Sequence, residues 1–297
     1  MPGTPQVVVV ADSTVSLPQD LLERWGILTV PLELTINGRV YRDGVDISAE
    51  NLYRMMPTLA EPPKTSAPRP EAFLEAFRQA AQRAPAVLCL TLASRLSATY
   101  YTALAAADLA KESFPHLRIQ VLDTQTAGGG EALVALAAAE RAWCGASLEE
   151  VAARAQMIIQ RVHFLGVLET LYYLWKGGRI PKVALWATHL LSIKPILDIR
   201  HGEVHLVDRP RTKARAVERI LTLIEERVGR GPLRVNIMHA NAPDEAHTLR
   251  QRIENHFLCR QVLVTVFTPV IGAHTGPGLL GVAFYKDDIP QEDSHDR

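Results

Sequence analysis

Apolar positions along this chain follow two periods in turn: runs proper to buried strands, and three-to-four spacings proper to helices. Residues 6–12, QVVVVAD, form a short unbroken apolar run, the pattern of a strand in a parallel sheet covered on both faces. Residues 18–25 read as a helix with Pro18 in its first turn. ILTVPLELTING is one extended run closed by Asn37-Gly38, a hairpin turn signal. Ser48 is placed to cap a helix through Met56, and residues 70–84 open with Pro and Glu and repeat apolar residues at helical spacing. AVLCLTL reads as a strand, 97–113 as a helix, RIQVLDT as a strand and 127–143 as a helix. This alternation predicts an α/β fold with a mostly parallel sheet covered by helices.

A second unit follows. Ser147 with Glu150 three residues on makes a capping box, and its helix runs to about Val162. FLGVLET is extended, KPILDIRHGEVHLVD reads as a hairpin turning at His201-Gly202, and TKARAVERILTLIEERV is a strongly amphipathic helix. LRVNIMHA, a helix over 243–257, QVLVTVF and GLLGVAFY complete it, with the hairpin making its sheet mixed. The boundary is placed near residue 160, giving domains 1–160 and 161–297. No repeat or low-complexity stretch interrupts the pattern.

Composition narrows the class. The chain has 297 residues, 47% of them apolar, so it can bury a real core. Lys+Arg and Asp+Glu are 32 each, and a balanced charge argues against a general nucleic-acid binder. Cys89, Cys144 and Cys259 are odd in number and widely spaced, which excludes a zinc pattern or disulfide framework and fits buried apolar filler in a cytoplasmic protein. The start, MPGTPQVVVVADS, lacks the basic region of a signal peptide, and no apolar window is long enough to span a membrane. That leaves room for transient membrane contact only. Residues 290–297 read as a frayed tail. His163, His189, His239 and His247 form no metal spacing with carboxylates, so no metal and no cofactor are assigned.

Five polar stretches sit where strands end, the edge at which open α/β sheets collect ligands. Asp12 and Ser13 follow the first strand, as a turn and helix cap or as a site. PPKTSAPRP (62–70) carries four prolines that hold Thr65 and Ser66 in place, a stiffness that a solvated linker does not need. ASRLSAT crowds Ser94, Ser97 and Thr99 at a strand-to-helix join, where hydroxyls either cap the helix or hold an anion with its amides. Gly128, Gly129 and Gly130 lack the lysine of a phosphate loop, which argues against a nucleotide enzyme and for close helix–sheet packing. His274 sits in a glycine- and proline-framed loop before the last strand, either solvated or able to donate to a carboxylate. Basic side chains cluster twice: Lys176, Arg179 and Lys182 around a Gly-Gly turn, and Arg209, Arg211, Lys213 and Arg215. Both are solvated surface or, together, a patch for an acidic partner.

VADSTVSLP, VPLELTINGRVYRDGVDIS, PKTSAPRPEAF, ASRLSATYYTA, VLDTQTAGGG, YYLWKGGRI, IKPIL and GAHTGPGLLGV occur in an order that resembles the DegV family of bacterial fatty-acid-binding proteins, over about residues 7 to 285. Two motifs depart from the family pattern. Its Ser-Ser-x-Leu-Ser-Gly-Thr reads Ala93-Ser94-Arg95-Leu96-Ser97-Ala98-Thr99, and its Thr-Ser-Gln-Pro reads Thr65-Ser66-Ala67-Pro68. The resemblance implies a non-enzymatic carrier with a long-chain fatty acid in a buried tunnel between two α/β domains. It further implies a separate fatty acid kinase that converts the presented carboxylate to an acyl phosphate. Thr65 and Ser94 would contact the carboxylate. His274 and Arg179 would lie near it or on the face met by the kinase. Ser66, Ser97, Thr99 and Thr275 complete the candidate ligand-binding residues, and Arg179, Arg209, Arg211 and Lys213 the candidate kinase-docking ones. The rival reading is a hydrolase or acyl transferase using Ser94 or Ser97 with His274. It lacks a nucleophile-elbow motif, and no carboxylate is placed to orient the histidine.

Overall fold

The structure, a computed structural model, describes residues 5–179 and 193–288. Lys182, His189, the first four residues and the 290–297 tail, all read above, lie outside the described residues. Strands β1 (Val7–Asp12), β2 (Leu28–Val30), β6 (Ala86–Thr91) and β7 (Arg118–Asp123) form a parallel sheet in the order β2-β1-β6-β7. Every residue of β1 and β6 is buried. Val7, Val9 and Ala11 face a core shared with helix α5 (Gly129–Trp143), while Val8 and Val10 face helices α3 (Pro70–Ala81) and α4 (Thr99–Ser113). Two-sided cover is the reason the sequence shows a run here rather than an alternation.

The extended run over 27–38 is not one strand. It divides at Pro31 into β2 and β3 (Glu33–Ile36), which belong to different sheets, because proline offers no amide to continue the ladder. β3 pairs with β4 (Arg39–Arg42) across the Asn37-Gly38 turn, whose φ values of 49° and 80° are both left-handed. Its other edge takes β5 (Lys64–Ser66), so the proline-rich stretch supplies a short strand and pairs Thr65 with Leu34.

The C-terminal part is a six-stranded mixed sheet. It uses β8 (His163–Val167), β9 (Ile196–Arg200), β10 (Glu203–Asp208), β11 (Leu233–His239), β12 (Cys259–Val266) and β13 (Leu280–Lys286), in the order β10-β9-β8-β13-β11-β12. Only β11 and β12 run parallel, and β9 and β10 turn at His201-Gly202. Helices α8 (Lys213–Val228) and α9 (Pro243–His256) cover its outer face. The result is a two-domain α/β fold with a parallel sheet in the N-terminal part and a mixed one in the C-terminal part.

Helix α5 packs on both sheets, so it is buried almost all round and built largely of alanine. Its start explains the three glycines. A Cβ at Gly129 would come within 2.5 Å of Met238 Sδ, and Gly128 takes φ 58° beside the Phe267 ring. The Ser147–Glu150 capping box opens α6 (Leu148–Ile159), and Ser48 caps α2 (Ala49–Met55). Residues 172–177, leading into the Gly-Gly pair, form α7 (Tyr172–Gly177), which Gly178 ends at φ 67°. Two expectations change. His274 lies in helix α10 (Pro269–Thr275), not in a loop, because Pro269 presets the first turn and Gly276, at φ 77°, ends the last. Of the cysteines only Cys89 is buried, since Cys144 follows the exposed end of α5 and Cys259 begins a strand near the sheet edge. Among the described residues no helix is long and apolar enough to cross a membrane.

Candidate functional site

Where the C-terminal ends of β1, β6 and β7 meet the inner face of the mixed sheet, a cavity of about 520 Å³ opens. Thr14 follows β1, Leu92 and Ser94 follow β6, and Ala127 follows β7. Phe164, Leu197 and Ile199 line it from the opposite sheet. The wall is mostly apolar, and its polar groups are few and grouped, as in sites that bury most of a small ligand.

One group joins three distant pieces of chain. Thr65 on β5 has its Oγ1 2.7 Å from His274 Nε2 on α10. Arg179, just past α7, donates to the Thr65 carbonyl at 2.9 Å and to the Gly177 carbonyl at 2.8 Å. All three side chains line the cavity. A Cβ at Gly177 would fall on His274 Nδ1, so only glycine lets the imidazole sit there. Burial, and then the Arg179 charge, lower the His274 pKa to about 4, so the ring is neutral at pH 7. Nδ1 is buried and has no hydrogen-bond partner among the described residues.

The remaining candidates divide. Ser94 lines the cavity and does not cap α4, whose N-cap is Ala98. Its own amide donates to Asp123 at 3.2 Å. Ser97 also lines the cavity, but its Oγ is 2.8 Å from Thr99 Oγ1 and accepts the Thr99 amide at 3.3 Å. Thr99 is fully buried and turned to that partner, away from the cavity wall. Ser66 is exposed at the cavity and donates to Glu33, while Thr275 lines the cavity and donates to the Ile271 carbonyl at 2.9 Å. The hydrolase geometry is not assembled. His274 Nε2 is taken by Thr65, Ser97 by Thr99, and no carboxylate reaches Nδ1 among the described residues.

The basic cluster also divides. Lys213 is partly buried, donates to the Gly278 carbonyl at 2.8 Å and pairs with Glu169 and Glu245, so it braces the loop ahead of β13. Arg209 and Arg211 stay exposed, and Lys176 lies over the Trp175 ring. Among the described residues no group of His, Cys, Asp and Glu could hold a metal ion.

Of the acids beneath the site, sequence reasoning marked Asp12 and passed over Asp43 and Glu131. Asp12 accepts from the Thr14 amide (2.9 Å), the Thr14 hydroxyl (2.7 Å) and the Leu92 amide (2.7 Å). The same Thr14 hydroxyl lies 2.8 Å from Glu131 Oε2. One hydroxyl proton serves one acceptor, so a second proton must sit on a carboxyl. Glu131 carries it, because burial and the Asp12 charge push its pKa well up. Asp43 accepts from Ser13 Oγ at 2.6 Å and from the Val270 amide at 3.1 Å, tying the turn after β1 to the start of α10. Burial raises Asp12 and Asp43 each to about 6. The signal available was Asp12 at a strand end; Asp43 and Glu131 gave none, since only long-range packing buries them.

Residues 6–287 match the model of the DegV family, described as "Uncharacterised protein, DegV family". DegV domain-containing protein SCO2569 of Streptomyces coelicolor is 34% identical over 278 residues, 93% of this chain and 97% of its own. Among solved structures, a fatty-acid-binding DegV family protein from Thermus thermophilus superposes with a TM-score of 0.87 at 34% identity, covering 95% of this chain and 99% of its own. A stearic-acid-binding protein from Eubacterium ventriosum gives 0.85 at 28% identity, covering 94% and 97%. With almost its whole length matched in sequence and in fold, this chain is a member of the DegV family.

Proposed function

We propose that this protein binds a long-chain fatty acid, with the tail in the apolar cavity and the carboxylate at Thr65, Ser94, His274 and Arg179. The carrying observation is the Thr65–His274 pair, with Arg179 beside it, on the wall of an otherwise apolar cavity. The Thermus and Eubacterium relatives, named for fatty-acid binding, support the ligand class. A neutral imidazole has one N–H. With a carboxylate present, His274 Nε2–H donates to Thr65 Oγ1 and the Thr65 hydroxyl donates to the ligand. Ser94, released from capping, supplies a second hydroxyl. These donors offset the desolvation of the anion, which would otherwise cancel much of the tail's contribution. Burying about 14 methylenes contributes on the order of 10 kcal/mol before ordering costs.

The finer reading is a carrier that presents this carboxylate to a separate kinase for acyl-phosphate formation. The exposed guanidiniums of Arg179, Arg209 and Arg211 support it as a docking rim; Lys213, already paired, acts on the scaffold instead. Organic extraction of purified protein followed by mass spectrometry tests the ligand. About one long-chain acid per chain is expected. A lipid-free protein that also fails to bind added palmitate or oleate overturns the reading.

A further inference from the structure

Strand β8 alternates sides in the usual way. Leu165 and Val167 enter the core beneath α8 and α9, while Phe164 and Gly166 face the cavity. Gly166 is thus an inward-facing position in mid-strand with no side chain. Strand interiors disfavour glycine, and where it persists a backbone or a ligand comes close.

The neighbours of Gly166 show which. On one side the ladder pairs it with Gly281 of β13, on the other with Leu197 of β9. The two facing glycines leave a shallow trough across the sheet. Phe267 fills the Gly281 half, where a Cβ would come within 2.7 Å of its ring. The Gly166 half borders the cavity. A Cβ at Gly166 would lie 3.3 Å from Leu279 Cδ1 and 3.3 Å from Phe164 Cε1, so both flanks are taken and a larger side chain must grow into the cavity. All of these neighbours are apolar, which is the environment of a tail and not of a head group.

We infer that Gly166 is a chain-length determinant: the ligand's tail lies over the Gly166 backbone, in the open half of the glycine trough. This rests on the fatty-acid reading above. A side chain at 166 takes the place of tail methylenes, so long acids lose affinity and short ones keep it. A merely structural glycine would change all lengths together.

The test is equilibrium binding of decanoate, dodecanoate, palmitate and stearate to wild type, Gly166→Ala and Gly166→Val. Wild type is expected to bind the longer acids more tightly. In Gly166→Val, stearate affinity should fall about tenfold or more while dodecanoate stays within about twofold. Gly166→Ala needs its neighbours to give by only a few tenths of an ångström, and carries the same test if the valine variant does not fold. It should lose about threefold against stearate with dodecanoate unchanged. Equal losses at every length, or none, overturn the inference while leaving the fatty-acid reading intact. A wild type that binds none of the acids overturns both.

Discussion

Thr65 Oγ1 and His274 Nε2 stand 2.7 Å apart although 209 residues separate them in the chain. The pair exists because β5 is held on β3 and because α10 is held by Asp43 and Tyr53. The Asp43 carboxylate takes the Val270 amide at 3.1 Å, and the Tyr53 hydroxyl donates to the Phe267 carbonyl at 3.0 Å.

Ser94→Ala should leave the melting temperature of the lipid-free protein unchanged, since Ser94 does not cap α4. It should weaken fatty-acid binding about ten- to a hundredfold, the loss of a charge-assisted hydrogen bond of roughly 1.5–3 kcal/mol. Thr65→Ala should act in the same direction, and the double variant should be non-additive because both hydroxyls grip one carboxylate. A fatty alcohol of equal length should bind wild type more weakly and be indifferent to Ser94→Ala. Binding isotherms of acid and alcohol, with melts of each variant, check all four statements. A Ser94→Ala protein that melts lower yet binds the acid like wild type would restore the structural role.

Gly177→Ala should act on the site without touching ligand. Its methyl would fall on His274 Nδ1 and push the ring off Thr65, lowering acid affinity about tenfold. Gly178→Ala is the comparison, because nothing lies within 4 Å of a Cβ there and only its φ of 67° is strained. Loss of affinity in the second variant but not the first would show that the contact is unimportant.

Stability should respond to pH with opposite signs from two sets of groups. Asp12 and Asp43 are raised from 3.8 to about 6, so their contribution is complete below pH 4 and is lost as pH rises through 6. His274 is lowered from 6.5 to about 4, so its contribution is present above pH 6.5 and is lost as pH falls toward 4. Asp43→Asn should therefore remove part of the fall in stability between pH 4 and pH 7, by about 3 kcal/mol. Urea unfolding of both proteins across that range measures it, and parallel curves would refute it.

Reversing charge at Arg211 should leave lipid binding intact and slow phosphorylation by a partner kinase, most at low salt. Lys213→Ala should instead lower stability, by about 1–3 kcal/mol, because it frees the Gly278 carbonyl and leaves Glu169 and Glu245 without their shared cation. Kinase rates across a salt series, with melts, separate the two.

Local chemistry along the chain determined a good deal. The valine run of β1, the Asn37-Gly38 and His201-Gly202 turns and the Ser147–Glu150 cap depend on neighbours a few residues away, so the sequence alone specifies them. The hydroxyls at 65 and 94 were visible for the same reason, as short polar motifs at strand ends. Packing across long separations decided the rest. Whether Ser94 or Ser97 was occupied depended on where α4 begins, and the structure gives that start to Ala98 and Thr99. Lys213 looked like one of a basic run until Glu169 and Glu245 closed on it. Nothing local sets Asp43 or Glu131 apart from other acids, and only the burial of one against α10 and the other beneath β1 raises their pKa values, Asp43 to about 6 and Glu131 well above the usual carboxylate range. Burial is a property of the assembled layers, and no window along the chain contains it.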